Sequence, residues 1–297
     1  MTTIECYETG RAVSIPSGWD EMPARLTRKV FRLFDRCVTL GESPLDFSIR
    51  ALHLLMGVKP STGDLAYLRA TEGRHTALAE NTFTLCDKCL GFLFEDGDKA
   101  RLGFDSVRNP LPSVRVGLHR LKGPADLLSD LSFGEFRQAS AAMEAFFRSS
   151  GVDDLDECLA CLYRRPAMRE NKAGRKVRPL ANSSFARDKA LAGRMRPWQK
   201  SLVMSWFAAC LRHLQEGVVT VDGEDIDMRK LFAPDGDAGG DIRFGWTDLL
   251  VEIAKQGPLG TMEEADGQPL YSVISIMWHN YKDNKRHERL AKANKVK

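Results

Sequence analysis

The stretch "SFGEFRQASAAMEAFFRSSGVDDLDECLACLYRRP", residues 132–166, decides the fold class. Ser132 followed three residues later by Glu135 is a capping box. The hydroxyl accepts from the backbone of the first turn, and the carboxylate reaches back to the N-cap. Phe133, Phe136, Ser140, Met143 and Phe147 then recur at helical spacing. Ser149, Ser150 and Gly151 stop that helix. A second amphipathic helix follows, with Leu155, Cys158, Leu159 and Leu162 on one face and Pro166 marking its end. This pattern predicts a helical hairpin over 126–166 and a mainly α chain with one or two short β-hairpins.

Upstream, "VRVGLHRL" (114–121) alternates as a strand does, and Pro110 and Pro112 mark an irregular connection before it. "LCDKCLGFLFEDGDKARL" (85–102) joins a strand-like apolar run to a Glu-Asp-Gly-Asp turn. The helix predicted over "PARLTRKVFRLFDRCVTL" (23–40) carries Leu26, Val30, Leu33, Phe34 and Cys37 on one face. Arg25, Lys29, Arg32 and Arg36 fall on the other and read as a solvated face. "PLDFSIRALHLLMG" (44–57) is apolar nearly all round and is expected to be buried. "RAVSIPSGWDEM" (11–22) reads as an extended start broken at Pro16, Ser17 and Gly18.

Downstream, "NKAGRKVRPLANSSFARDKALAGRM" (171–195) has no apolar stripe and is interrupted by Gly, Pro and Asn. It reads as a long basic loop, mobile from about Arg169 to Arg194 because nothing apolar offsets its ordering entropy. Pro197 opens a strong helix that Gly217 ends. Asp222-Gly223 between extended flanks signals a hairpin. "PDGDAGGD" (234–241) reads as a loop. Two helices are expected to close the chain, "WTDLLVEIAKQG" (246–257) and a second from Pro269 through "LYSVISIMWHNY", introduced by a possible Thr261/Glu264 box and followed by a frayed charged tail. The expected organisation is a mixed N-terminal region (1–125), the helical hairpin (126–166), the basic loop (167–196) and a C-terminal helical region with a short hairpin (197–297).

The chain of 297 residues has an ordinary composition, 43% hydrophobic and 28% charged. Its net charge of +3 does not make the whole surface a polyanion binder. The distribution says more: Arg164 to Lys200 holds twelve Lys/Arg against two acids, Glu170 and Asp188. The tail from Lys282 is a second basic cluster. Seven cysteines, no signal-peptide pattern at the start and no long apolar span are expected of a protein with free thiols in a reducing cytosol.

Two Cys-x-x-Cys pairs, Cys86/Cys89 and Cys158/Cys161, would supply four soft zinc ligands. The pairs are far apart in sequence, and the second sits in an amphipathic helix with Cys158 facing the core, so no metal is expected. The loop at Asp235 begins like an EF-hand, but Gly239 and Trp246 stand where a ligand and the bidentate Glu belong. No P-loop, Gly-x-Gly-x-x-Gly, His-Glu-x-x-His or Gly-x-Ser-x-Gly occurs. No catalytic residue and no cofactor are assigned, and the chain is read as non-enzymatic. The basic segment is the candidate partner-binding element, through Arg169, Lys172, Arg175, Lys176, Arg178, Arg187, Lys189 and Arg194. The partner is an acidic protein or, as the alternative, nucleic acid bound by its phosphates. Phe185 and Trp198 are the only aromatics near, too few for stacking on single strands.

Three blocks carry a resemblance. "IPSGWDEM" (15–22) precedes a Leu/Phe helix. "LKGPADLLSDLSFGEFRQA" (121–139) is followed by "DECLACLYRRP" (156–166). "FGWTDLLVEIAKQGPLG" (244–260) is followed by "EEADGQPLYSVISIM" (263–277). Together they resemble a poorly characterised group of proteins from Bacteroidetes phages and prophages. The last block also resembles tail-assembly chaperones. The resemblance implies a role in tail assembly or as a minor virion component, with other tail or structural proteins as partners. It further implies the host cytoplasm during assembly as the location. No active site comes with it.

Overall fold

The structure is a computed structural model. It describes residues 1–6, 11–58, 77–95, 97–180, 182–232 and 262–295. The protein is mainly α-helical with short two-stranded antiparallel hairpins. Among the described residues no helix is long and apolar enough to cross a membrane. The helix expected over 246–257, the acidic loop at 234–241 and Thr261 lie outside the described residues.

The chain forms two compact units, one of 1–111 with 196–209 and the other of 112–195 with 210–297. The β-hairpin at 113–122 goes with the second unit, and the chain returns to its first unit once.

In the first unit, β1 (Thr2–Cys6) and β2 (Arg11–Ile15) pair with Thr2 opposite Ile15. The extended start is thus the second strand of a hairpin. Trp19 follows it and is buried, its ring centroid 4.9 Å from Phe104 and 5.8 Å from Phe31. Its indole Nε1 donates to the carbonyl of Gly103 at 2.7 Å, so the one polar atom of a large apolar group is satisfied.

Helix α1 (Ala24–Thr39) buries Thr27, Val30, Phe31 and Cys37. The buried face is rotated from the expected one: Leu26, Leu33 and Phe34 are half-buried at its edge, and Phe31 takes the centre. Arg25, Lys29, Arg32 and Arg36 are exposed, and Arg32 lies 4.8 Å over the Trp198 ring.

Helix α2 (Pro44–Leu55) starts at a Ser43/Asp46 capping box with Pro44 at its first position, and buries Phe47, Ile49, Leu52 and Leu55. Helix α3 (Ala77–Leu90) ends where the apolar run begins, and the run passes through a 3-10 turn at Gly91–Leu93 into a strand at Phe94. Cys86, Cys89, Leu90 and Leu93 are buried at helical spacing, and runs this short do not separate the two periods. The hairpin β3 (Phe94–Glu95) and β4 (Asp98–Leu102) follows.

In the second unit, β5 (Ser113–Val116) and β6 (His119–Lys122) form the expected hairpin, and α4 (Phe133–Ser149) and α5 (Val152–Leu162) form the helical hairpin. The capping box is made in full: Ser132 Oγ accepts from the Glu135 amide, and Glu135 accepts from the Ser132 amide. Ser150 closes α4 at φ 54°. Phe133, Phe136, Cys158, Leu159 and Leu162 are fully buried, whereas Phe147 is exposed.

Helix α6 (Asn182–Ala192) stands where a loop is expected. Helix α7 (Pro197–Glu216) gives its first part to the first unit and the rest to the second. The hairpin of β7 (Val218–Val221) and β8 (Glu224–Asp227) turns through Asp222 and Gly223, both at positive φ. After the short helices α8 (Arg229–Phe232) and α9 (Met262–Asp266), α10 runs from Leu270 to Lys295. The charged tail is therefore helical where fraying is expected. Leu270, Val273 and Ile274 of α10 are fully buried, and its Tyr271 hydroxyl donates to the Leu127 carbonyl at 2.8 Å. Helix α9 is tied to α4 through Asp266 and Arg137, whose Nη2 sits 2.6 Å from the carboxylate.

A Cβ at Gly103 would lie 2.8 Å from backbone atoms of Phe94 and Glu95, where only the main chain can give way. Gly103→Ala is expected to cost about 1–3 kcal/mol by overpacking. Urea unfolding followed by tryptophan fluorescence will measure it, since the Trp19 indole is bonded to this residue.

Candidate partner-binding site

The basic segment is built on a buried ionic cluster. Glu135 sits in the first turn of α4, placed there by its capping box. The same carboxylate pairs with Arg164, just past α5, and with Arg175 Nη1 at 3.4 Å. Asn171 Nδ2 also donates to it at 3.4 Å. Both arginines are fully buried. Arg175 Nη2 donates to the carbonyls of Lys122, at 2.9 Å, and of Leu162. Burial pulls the Arg175 guanidinium below its ordinary range, and the Glu135 charge opposes that shift. Among the described residues Arg164 Nε and Nη1 and Arg175 Nε find no hydrogen-bond partner, and the two buried cations share one carboxylate.

The backbone around the cluster is equally fixed. Lys122 and Arg164 form an antiparallel bridge, as do Pro166 and Val177. The Arg178 amide donates to the Arg165 carbonyl at 3.0 Å, and the Ala167 amide to the Lys176 carbonyl at 3.2 Å. The Asn171 side chain accepts from the amides of Ala173 and Arg175 and shapes the turn between them. Gly123 permits the buried Tyr163 ring to close over the hairpin, because a Cβ there would lie 2.6 Å from it.

Helix α6 is anchored the same way. Arg165 pairs with the fully buried Asp188 and donates to the Ser184 carbonyl at 3.2 Å. Lys189 reaches Asp153 at 2.8 Å and Glu157 at 2.9 Å on α5. Desolvation pulls the Lys189 ammonium down, but the two carboxylates outweigh it and the net shift is upward.

This corrects two expectations. The segment from Arg169 to Arg194 is not a structureless mobile loop: it holds a helix, and Val177, Leu191 and Ala192 are buried within it. Its ordering is offset by buried ion pairs and hydrogen bonds that apolar periodicity does not reveal. Arg175 is an interior residue and cannot meet a partner. Lys189 is tied to α5, and Lys176 to Glu170 at 3.3 Å. Arg169, Lys172, Arg178, Arg187 and Arg194 are exposed, and their side chains make no ion pair among the described residues. Of the aromatics nearby, Trp198 is buried in the first unit under Arg32 and Phe185 is half-buried.

Cys158 and Cys161 are both fully buried, and burial pushes the Cys161 thiol up to about 12 and Cys158 well above its ordinary value. Burial likewise pushes Cys86 up to about 12. Such thiols stay protonated and behave as small hydrophobes. Among the described residues no group of three or more His, Cys, Asp or Glu comes together to hold a metal. No protein-family model, curated protein or solved structure matches this chain.

Glu135→Gln leaves two buried guanidinium groups without a counter-charge and is expected to lose about 3–5 kcal/mol in urea unfolding. Arg169→Ala, at an exposed position with no ion pair among the described residues, is expected to change stability by less than about 0.5 kcal/mol. Equal losses for the two would show that the cluster does not organise the segment. Mass-resolved alkylation at pH 8 is expected to leave Cys86, Cys158 and Cys161 unmodified in the folded protein and to label all three in urea.

Proposed function

We propose that the protein is a non-enzymatic docking protein of a phage or prophage, acting in tail assembly or as a minor virion component. On this reading it works in the host cytoplasm during assembly and captures acidic surfaces of other tail or structural proteins. One observation carries the docking step: five exposed cations, without an ion pair among the described residues, project from a backbone held by a buried ionic cluster. A charged surface fixed before binding loses little conformational entropy on contact, which favours a specific protein partner. The phage setting rests on the sequence resemblance. Its middle blocks supply Gly123, Glu135, Tyr163 and Arg164, which meet in one buried place.

Nucleic acid is the competing partner for the same cations. Outside residues 164–200 the chain carries 31 Lys/Arg and 38 Asp/Glu, an acidic balance that would repel a duplex beyond the segment's reach. The variant R169A/R178A/R187A/R194A is expected to fold normally and to lose capture of tail proteins in pull-downs from phage-expressing cells. Wild-type protein is expected to bind duplex DNA negligibly at physiological salt. Tight duplex binding, with a log–log salt slope of about −0.9 per phosphate contact, would transfer the segment to nucleic acid.

A further inference from the structure

Helix α1 carries its positive charge in a line. Arg25, Lys29, Arg32 and Arg36 recur at steps of four, three and four residues and are all exposed, opposite the buried Thr27, Val30, Phe31 and Cys37. At the rise of an α-helix the line is about 16 Å long. Among the described residues none of the four makes an ion pair, and the helix holds one acid, Asp35. Of the four, Arg32 alone has a charge contact among the described residues, over the Trp198 ring of the same unit. The arrangement does nothing for the helix. Arg25 stands in the first turn, where the positive end of the helix dipole disfavours a cation. Arg25 with Lys29, and Arg32 with Arg36, are like charges four residues apart, which destabilises a helix.

An apolar line runs beside the cations. Leu26, Leu33 and Leu40 are seven residues apart, a spacing that drifts only about 20° around the helix at each step. Leu26 and Leu33 are half-buried, and Leu40 is 59% exposed. Leu40 follows the last helical residue and keeps right-handed angles, φ −86° and ψ −2°, so it continues the line. Each leucine lies three or four residues from Lys29 or Arg36 and therefore abuts the cations on the helix surface.

Two parallel lines, one of leucine and one of cations, complement a second helix with apolar residues every seven positions and Asp or Glu beside them. Such a helix has the same rise per residue, so its carboxylates meet the cations turn after turn. A phosphate backbone would answer the cations and leave the leucines in water. We propose that the outer face of α1 docks one acidic amphipathic helix of a partner protein. Leu26, Leu33 and Leu40 pack on its apolar line, and Arg25, Lys29, Arg32 and Arg36 pair with its carboxylates, which removes the like-charge repulsion along α1. The surface belongs to the first unit and uses none of the cations assigned to the basic segment, so it goes beyond the docking reading above and stands or falls separately from it.

The test uses the full-length chain against a displayed three-helix scaffold with one helix face randomised. Helices kept by the wild type and discarded by R25E/K29E/R36E are sequenced, and they are expected to carry Leu or Ile at seven-residue spacing with Asp or Glu beside it. The variant is expected to melt no lower than wild type. Each new acid stands three or four residues from Arg28 or Arg32, and the one at position 25 suits the first turn. A selected helix is expected to bind R25E/K29E/R36E at least about tenfold more weakly, through like-charge juxtaposition, and to regain that affinity when its own acids are exchanged for Lys. L40S is expected to weaken it about tenfold through the apolar contact alone. No helix surviving the subtraction, survivors without acids, or binding indifferent to L40S overturns the assignment. Duplex DNA binding at physiological salt that R25E/K29E/R36E abolishes also overturns it, by giving the face to phosphates. A wild-type dimer that the same variant abolishes overturns it as well, by giving the face to a second copy of this chain.

Discussion

The second unit depends on one carboxylate. Glu135 closes the N-terminus of α4, neutralises Arg164 at the end of α5 and holds Arg175 in the turn beyond. Two pieces of chain, 29 and 40 residues away, are fixed to its own helix by two oxygens. Desolvating three charges is costly, and a well-packed apolar substitute would often be at least as stable. What the ions supply is direction. A carboxylate between two guanidinium groups admits few arrangements, and the carbonyls of Lys122 and Leu162 reduce them further. The segment after α5 is thereby given one path in place of many.

That geometry divides the positive charge of residues 164–200 into two kinds. Arg164, Arg165 and Arg175 are interior and serve the fold. Arg169, Lys172, Arg178, Arg187 and Arg194 are exterior. Charge density alone does not separate them. Burial does, and it follows from which cations have a buried acid within reach: Glu135 for two of them and Asp188 for the third.

The sequence reveals elements whose information is local. The Ser132/Glu135 box, the Pro197 start and Gly217 stop, the Asp222-Gly223 turn and the alternation at 114–121 all name their structures directly. The rest depends on contacts between distant positions. Helix α6 has no clear apolar stripe because Asp188, Lys189 and Leu191 face α5 and Arg165 through mixed chemistry, so periodicity is silent. Phe31 replaces Leu33 at the centre of the buried face of α1 because Trp19 and Phe104 lie there. The burial of Arg175 has no local mark, although the pairing of a capping-box acid with an Arg-rich helix end was a signal available in the residues.

The alternation of the two units along the chain bears on synthesis. Residues 1–111 leave the ribosome first, yet Trp198 and Trp206, which complete their core, arrive only with 196–209. Trp206 then donates its indole proton to the carbonyl of Val107 at 3.0 Å. At elongation rates of about 5–20 residues per second, roughly 5–20 s separate those two events. For that interval the first unit of a nascent chain lacks the two buried tryptophans that its last segment brings. Segments of the second unit emerge in the meantime and are in the same position, because their own partner α10 comes last. The first unit is thus completed only after most of the second has been made, and the second closes after it.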